Sequence, residues 1–125
     1  DGSRFRHPEL RLVITESRAD WLPALLTRLD AVFEANRDDL PARRRPSEYW
    51  HDHCLVGASF VHRAEVEMRH EIGVDNIDFG RDYPHAEGLA EPRSFVDDLD
   101  GFDSDEVRLI MRENALALSR RRPAA

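Results

Sequence analysis

The sequence contains no lysine, because all 18 of its basic residues are arginine. A chain without lysine cannot form a Schiff base with a carbonyl substrate, nor carry a carbamylated lysine as a metal ligand. Cys54 is the only cysteine, which excludes an internal disulfide and fits a reducing compartment, so we expect a cytoplasmic protein. No apolar run approaches about 18 residues, and we therefore expect no transmembrane helix.

Several function classes are also disfavoured by charge and by missing motifs. The formal net charge is -7, which argues against binding to nucleic acid or to an anionic membrane. The sequence has no glycine-rich phosphate loop, no Cys/His zinc-finger arrangement and no Gly-x-Ser-x-Gly elbow. We therefore expect neither nucleic acid nor membrane as a partner.

The 125 residues and a hydrophobic fraction of 41% predict a single domain, 1–125. Apolar runs typical of strands alternate with segments of helical periodicity. The predicted strands are 10–16, 54–60 and 76–80, and the predicted helices are 19–37, 47–53, 62–73, 91–99 and 104–118. This alternation predicts an α/β fold with about three parallel strands, right-handed crossovers and flanking helices.

Local signals set the ends of these helices. Asp20 is expected to cap the first one, with Pro23 in its first turn, and Ser47 is expected to cap the second. Gly73 ends the third at a left-handed position. In the first helix one apolar face is expected to be buried, formed by Leu22, Leu25, Leu26, Leu29, Val32 and Phe33.

The last helix is expected to begin at Asp103 or Ser104, and Glu106 completes a capping box if Asp103 is the cap. Residues 117–125 are predicted to be a frayed basic tail. The first strand, 10–16, is mostly apolar, so we expect it to be covered on both faces. Three strands are too few for most free-standing parallel sheets, which indicates part of a larger fold or a unit that pairs with a copy of itself.

Two acidic residues follow predicted strands. Glu16 ends the first strand, and Asp82 follows the third in "NIDFGRDYPHAEG", residues 76–88. A carboxylate placed there must be satisfied or functional, because an unpaired buried charge is costly. From the residues alone, Asp82 is either a functional ligand or a helix cap or partner of Arg81, and Glu16 is either a ligand or the partner of an arginine.

Four blocks carry a family resemblance that spans roughly residues 5–120. They are "ITESRADWLPALLTRLDAVFEANR", "RPSEYW", "RHEIGVDNIDFGRDYPHAEG" and "IMRENALAL". In this order they resemble the amidohydrolase-related family of metal-dependent TIM-barrel hydrolases and decarboxylases. The Asp-Tyr-Pro-His run is the most specific part. The resemblance implies that the chain is the C-terminal third of a (β/α)8 barrel, with strands equivalent to the sixth, seventh and eighth.

The resemblance also implies a metal site. Asp82 falls on the family's metal-binding aspartate, which would also take a proton during catalysis. Glu16 falls where many members carry a metal-binding histidine in a His-Gly-Gly run, and here the run is Glu-Ser-Arg. The implied cofactor is a divalent metal ion, zinc in first place, with manganese or magnesium as alternatives.

Three further residues are candidates for substrate contact. His85 could contact substrate, orient Asp82 or cap the following turn. Trp21 could line the pocket or pack in the core, and His62 could line the pocket or lie on the surface at a helix start. The His-x-His pair His51 and His53 invites a metal interpretation, but it precedes a strand and so belongs to the wrong end of a barrel.

The resulting prediction is a hydrolase acting on a C–N, C–O or, by decarboxylation, C–C bond of a small organic acid. The partners are then a small-molecule substrate and either a second copy of the chain or the missing part of the barrel. The alternative is a non-catalytic partial-barrel module that assembles with itself or with another chain.

Overall fold

The computed structural model describes residues 10–58, 62–80, 85 and 90–120. Its centre is a parallel sheet of three strands: β1 (Leu12–Ile14), β2 (Cys54–Ala58) and β3 (Ile77–Phe79). The strand order is β1-β2-β3, and Ile14, Val56 and Ile77 are register partners across the sheet. The predicted parallel sheet is therefore confirmed.

Helices connect and flank these strands. α1 is Leu22–Ala35, α2 is Pro46–His53 and α3 is Arg63–Ile72, followed by a 3-10 turn at Val74–Asn76. After β3 come a 3-10 helix, Pro92–Leu99, and one long helix composed of α4 (Ser104–Arg108), a π-helical segment (Leu109–Glu113) and α5 (Asn114–Arg120). This helix extends into the range predicted to be a frayed tail, and residues 121–125 lie outside the described part. Within the described ranges, no helix combines the length and apolarity needed to span a bilayer.

The core lies between one face of the sheet and the helices. Val56 and Ile77 are buried against Ile72, Phe95 and Ile110. Phe79 packs its ring on Phe95 with the ring centroids 4.7 Å apart. Each fully buried side chain of this size contributes roughly 1.5–3 kcal/mol, so this layer supplies much of the stability.

Helix caps were predicted with mixed success. Asp103 accepts hydrogen bonds from the backbone N–H groups of Asp105 and Glu106, which confirms the capping box. The prediction for Asp20 is wrong: α1 has Trp21 at its N-cap, and the Asp20 carboxylate pairs with Arg18 at 2.9 Å. Because a charged partner competes for the carboxylate, an acidic residue at the start of a helix does not always act as its cap.

The end of α3 and the start of α2 were also predicted from the sequence. Gly73 ends α3 with a φ of 94°, as predicted. The prediction that Ser47 caps α2 is wrong, because Arg45 is the N-cap. The Ser47 backbone N–H and hydroxyl instead donate to the two carboxylate oxygens of Asp30, which joins α2 to α1.

The outer edge of the sheet departs from expectation. β1 is an edge strand, and Leu12 and Val13 are 49% and 37% exposed, so the prediction that it is covered on both faces is wrong for this chain. The apolar face of α1 is likewise only half buried. Leu22, Leu26 and Phe33 are buried, whereas the remaining three members are exposed: Leu25, Leu29 and Val32.

Candidate active site

The carboxyl ends of the three strands form one edge of the sheet. Ile77 and Phe79 face the helices, so the intervening Asp78 points to the opposite face, because strand side chains alternate. Asp78 is the register partner of Gly57 on β2. A Cβ built on Gly57 would lie 3.5 Å from Cγ2 of Thr15, which places Thr15 on this same face. Thr15, Gly57 and Asp78 thus form a row across the sheet, which we call the inner row.

Asp78 is the ionisable member of the inner row. Its Oδ1 accepts a hydrogen bond from the backbone N–H of Phe79 at 2.9 Å. Burial raises the pKa of the carboxyl above its ordinary value, and that hydrogen bond only partly offsets the effect. Within the described ranges, no basic side chain forms an ion pair with Asp78, so its charge is not compensated there.

Glu16 lies directly beyond Thr15 at the same edge. It has a φ of 55°, and of the described residues other than glycine it alone has a positive φ. The left-handed region costs about 1–2 kcal/mol for such a residue, and strain of this kind concentrates at functional sites. The nearest arginine in sequence, Arg18, pairs with Asp20 and Glu65 rather than with Glu16.

Glu65 holds two loops together beside this edge. Its carboxylate accepts from the backbone N–H of Ala19 at 3.2 Å, in the loop after β1, and from that of His62 at 3.1 Å, after β2. Glu65 is only 2% exposed, and Arg18 approaches it at 3.4 Å. This residue was not predicted, although its position three residues after His62 is that of a capping-box glutamate. The two hydrogen bonds that Glu65 accepts fix the start of α3 relative to the segment that carries Glu16.

Two of the three candidate substrate contacts, Trp21 and His62, lie at the ends of these loops. Trp21 is 38% exposed, and its indole N–H donates to the backbone carbonyl of Arg18. Trp21 also borders the apolar groove beside α1, so its side chain is shared between the loop and that groove. His62 is exposed at the N-cap of α3, and His85 is exposed at a bend.

Asp82, the central residue of the sequence prediction, lies outside the described residues. Among those that are described, no three His, Cys, Asp or Glu side chains gather closely enough to hold a metal ion. The described part of the edge thus supplies oxygen donors but no complete ligand set. A metal bound here would need further ligands from elsewhere.

The opposite end of the sheet carries the His-x-His pair. His51 shares a hydrogen bond with Oδ1 of Asn76, with Nδ1 and Oδ1 3.0 Å apart, and His53 contacts Arg11. Both histidines line a cavity of about 840 Å³ at the amino ends of the strands. Because barrel enzymes place chemistry at the carboxyl ends, this cavity is not the candidate site, and the pair belongs to the wrong end as expected.

Asp78 is the site residue that sequence reasoning missed. The signal available was an acidic residue between Ile77 and Phe79, since a lone acid within an apolar strand faces away from the core. The apolar run predicts a buried strand, and such a strand favours the acid after it, Asp82, as the functional residue. The register with Gly57 could not be read from the sequence.

The chain is similar to known protein structures. The fold superposes on the crystal structure of an amidohydrolase from Mycobacterium avium subsp. paratuberculosis K-10 with a TM-score of 0.80 and 36% sequence identity. The match covers 94% of this chain but 30% of that one. No family model matches the sequence, and no curated protein matches it.

This match fixes the fold class. Three parallel strands with flanking helices correspond to a fragment of a TIM-barrel amidohydrolase, and the chain spans less than a third of the length of that structure. The likeness supports a link to hydrolases without identifying a substrate or the bond that is broken.

Proposed function

We propose that this chain is the C-terminal part of a metal-dependent hydrolase or decarboxylase that acts on a C–N, C–O or C–C bond of a small organic acid. The observation that carries the proposal is the match to an amidohydrolase at 36% identity over 94% of this chain. The carboxyl edge of the sheet supports it, because the acidic residues Glu16 and Asp78 lie where barrel enzymes carry their active sites.

In this proposal Asp82 and Glu16 hold a divalent cation, zinc in first place and manganese or magnesium as alternatives. Glu16 is supported by its position after β1 and by its positive φ. Asp82 is supported by the resemblance of its Asp-Tyr-Pro-His run to the family motif, in which this aspartate binds the metal. The cation would supply Lewis-acid polarisation, and the remaining ligands would come from the rest of the barrel.

In this proposal each candidate side chain has a role in the reaction or in holding the site. Asp82 accepts a proton from the attacking nucleophile or transfers one to the product, as general base or acid. His85, Trp21 and His62 contact the substrate, and Glu65 holds the two loops in register. The partners are a small-molecule substrate and either the rest of the barrel or a second copy. We propose a cytoplasmic location, which the single cysteine supports.

The test uses the natural polypeptide that carries this chain. Its metal content is measured by plasma mass spectrometry, and turnover of a panel of amides, lactones and aromatic or unsaturated carboxylic acids is followed by new acid groups and by CO₂ release. We expect one divalent ion per chain and turnover that a chelator abolishes. Asp82→Asn should lower turnover by about 10²–10⁴-fold.

Two matched variants serve as controls. Asp97→Asn repeats the change at an exposed position on the 3-10 helix, and Glu67→Gln matches Glu16→Gln at an exposed position on α3. Both controls should keep metal and turnover, whereas Asp82→Asn and Glu16→Gln should lose metal. Metal-free protein that is active, or full metal content in Asp82→Asn, would contradict the proposal.

A second candidate function rests on a different observation, the exposed apolar surface along β1 and α1. A non-catalytic module that assembles with itself or with another chain would cover this surface. Native mass spectrometry separates the two: a tight oligomer that binds no metal and turns over none of the panel would favour assembly over catalysis.

A further inference from the structure

The inner row carries an inference that deepens the proposed function. It joins the hydroxyl of Thr15, directly after β1, the position without a side chain at Gly57 on β2 and the carboxylate of Asp78 on β3. Neighbouring parallel strands lie about 4.8 Å apart, so the outer two members are roughly 10 Å apart at their Cα atoms. Because glycine has no side chain, the space between them is open to a small group.

The layer beneath the inner row is apolar. Val13 and Leu55 are register partners. Each lies two residues before a member of the inner row, towards the amino end of its strand. The inner row is therefore a polar layer above an apolar pair on β1 and β2, and it forms a floor at the edge where the proposed active site lies. This arrangement, with one acid over an apolar layer, differs from a solvated surface, where charges are mixed and mobile.

The carboxylate is not explained by the stability of the fold. Its only described hydrogen bond is to the backbone N–H of Phe79, and burial raises the pKa of the carboxyl. The described residues that share its face on β1 and β2 carry no charge: Val13, Thr15, Leu55 and Gly57. The nearest titratable group along those strands is Glu16, which has the same sign, and the long helix packs on the other face of β3. An apolar residue here would be the more stable choice.

We propose that Asp78 is a substrate-contacting residue on the floor of the site, where it accepts a hydrogen bond from an amine or hydroxyl group of the substrate above Gly57. This assignment rests on the proposed function for the nature of the ligand. The substrate class is thereby narrowed to small organic acids that carry a hydrogen-bond donor remote from the bond that breaks.

The first test is thermal unfolding of the chain and of Asp78→Asn between pH 3 and pH 8. The unfolded carboxyl titrates near its ordinary value of 3.8, and the folded one titrates higher. The folded state then holds the proton more tightly, so the contribution of this one carboxyl to stability is greatest at low pH and is lost as the pH rises through the folded pKa. We expect Asp78→Asn to match the wild type near pH 3 and to melt at a higher temperature than the wild type at pH 8.

The second test is steady-state kinetics of the natural polypeptide. Losing a charged hydrogen bond to substrate should lower kcat/KM of Asp78→Asn by about 10- to 100-fold, with a raised KM. For substrates that lack the donor group, kcat/KM of Asp78→Asn should equal that of the wild type. Asp97→Asn is the matched control and should change neither stability nor kinetics.

The two tests separate the possible failures. A melting temperature of Asp78→Asn below that of the wild type at pH 8 would make the carboxylate structural and overturn the assignment. Unchanged kcat/KM would overturn it as well. If the wild type turns over no compound of the panel, the hydrolase proposal fails. The melting temperatures of the wild type and Asp78→Asn then decide alone whether the Asp78 carboxylate destabilises the fold. Asp78→Leu repeats the comparison if the asparagine variant fails to fold.

Discussion

Asn76 links three backbone segments at the amino end of the sheet. It is 3% exposed, and its amide nitrogen donates to the carbonyls of Trp50, His51 and Cys54. Its Oδ1 meets Nδ1 of His51 at 3.0 Å. One side chain thereby satisfies the end of α2 and the start of β2, where helical carbonyls have no intrahelical partners.

We expect Asn76→Ala to lower the free energy of unfolding by about 2–4 kcal/mol, because it leaves buried carbonyls without donors. The measurement is urea unfolding followed by circular dichroism. Asn36→Ala, at the exposed C-cap of α1, is the matched control and should cost less than about 1 kcal/mol. Equal effects of the two changes would mean that the Asn76 network contributes little.

Residue-level predictions succeeded where the deciding contacts are local. The Asp103 cap and the Gly73 terminus depend on neighbours within three residues, and both were predicted correctly. Asp20 and Ser47 were assigned as caps, but an ion pair to Arg18 and hydrogen bonds to Asp30 took those side chains instead. Partners of that kind are set by local loop geometry or by another helix, which periodicity does not reveal.

At the scale of elements, α1 shows what the sequence could not predict. Its six apolar residues were assigned to one buried face, yet Leu25, Leu29 and Val32 are exposed. Periodicity gives the width of an apolar stripe but not how much of it this chain covers. We expect a second neighbour, either the rest of the barrel or a second copy of the chain, to cover the exposed part of the stripe.

Two truncations on α1 test this assignment. Leu26→Ala should lower the free energy of unfolding by about 2–4 kcal/mol, because Leu26 is buried in the core. Leu29→Ala, on the exposed side and 39% exposed, should cost less than about 1 kcal/mol in the chain alone. Urea unfolding of both variants decides, and a larger loss for Leu29→Ala would show that the two sides of α1 are misassigned.

At the scale of the whole molecule, the exposed apolar side chains are unevenly distributed. Apart from Val96, the strongly exposed large apolar residues of the described ranges all lie between residues 10 and 40. All of these except Leu10 and Val13 line a groove of about 580 Å³ beside α1 that continues to the edge strand β1. Patches of this kind mark interaction surfaces, so the chain alone should be prone to associate.

Val32→Glu tests this surface, because it places a charge in the patch without touching the core. In analytical ultracentrifugation, the chain should self-associate at micromolar concentration and the variant should remain monomeric. Val96→Glu is the matched control, since Val96 is 44% exposed but lies on the 3-10 helix away from the groove. A loss of association in the control alone would place the contact elsewhere.

The sequence was sufficient for the α/β class and the order of elements, because the alternation of strand and helix patterns restricts the topology strongly. For the site the sequence offers candidates only directly after the strands, such as Glu16, and the role of Glu16 as a ligand stays a prediction. Asp78 required the register with Gly57, which depends on contacts between strands far apart in sequence. Asp82 lies in the part of the chain that the structure does not describe, so its assignment stays a prediction.

The most direct measurement is anomalous diffraction at the zinc edge from crystals of the natural polypeptide grown with zinc. The account predicts a peak about 2.0–2.2 Å from carboxylate oxygens of Glu16 and Asp82, at the carboxyl ends of the strands. A peak only between His51 and His53, at the amino ends, or no peak at the carboxyl ends would contradict it.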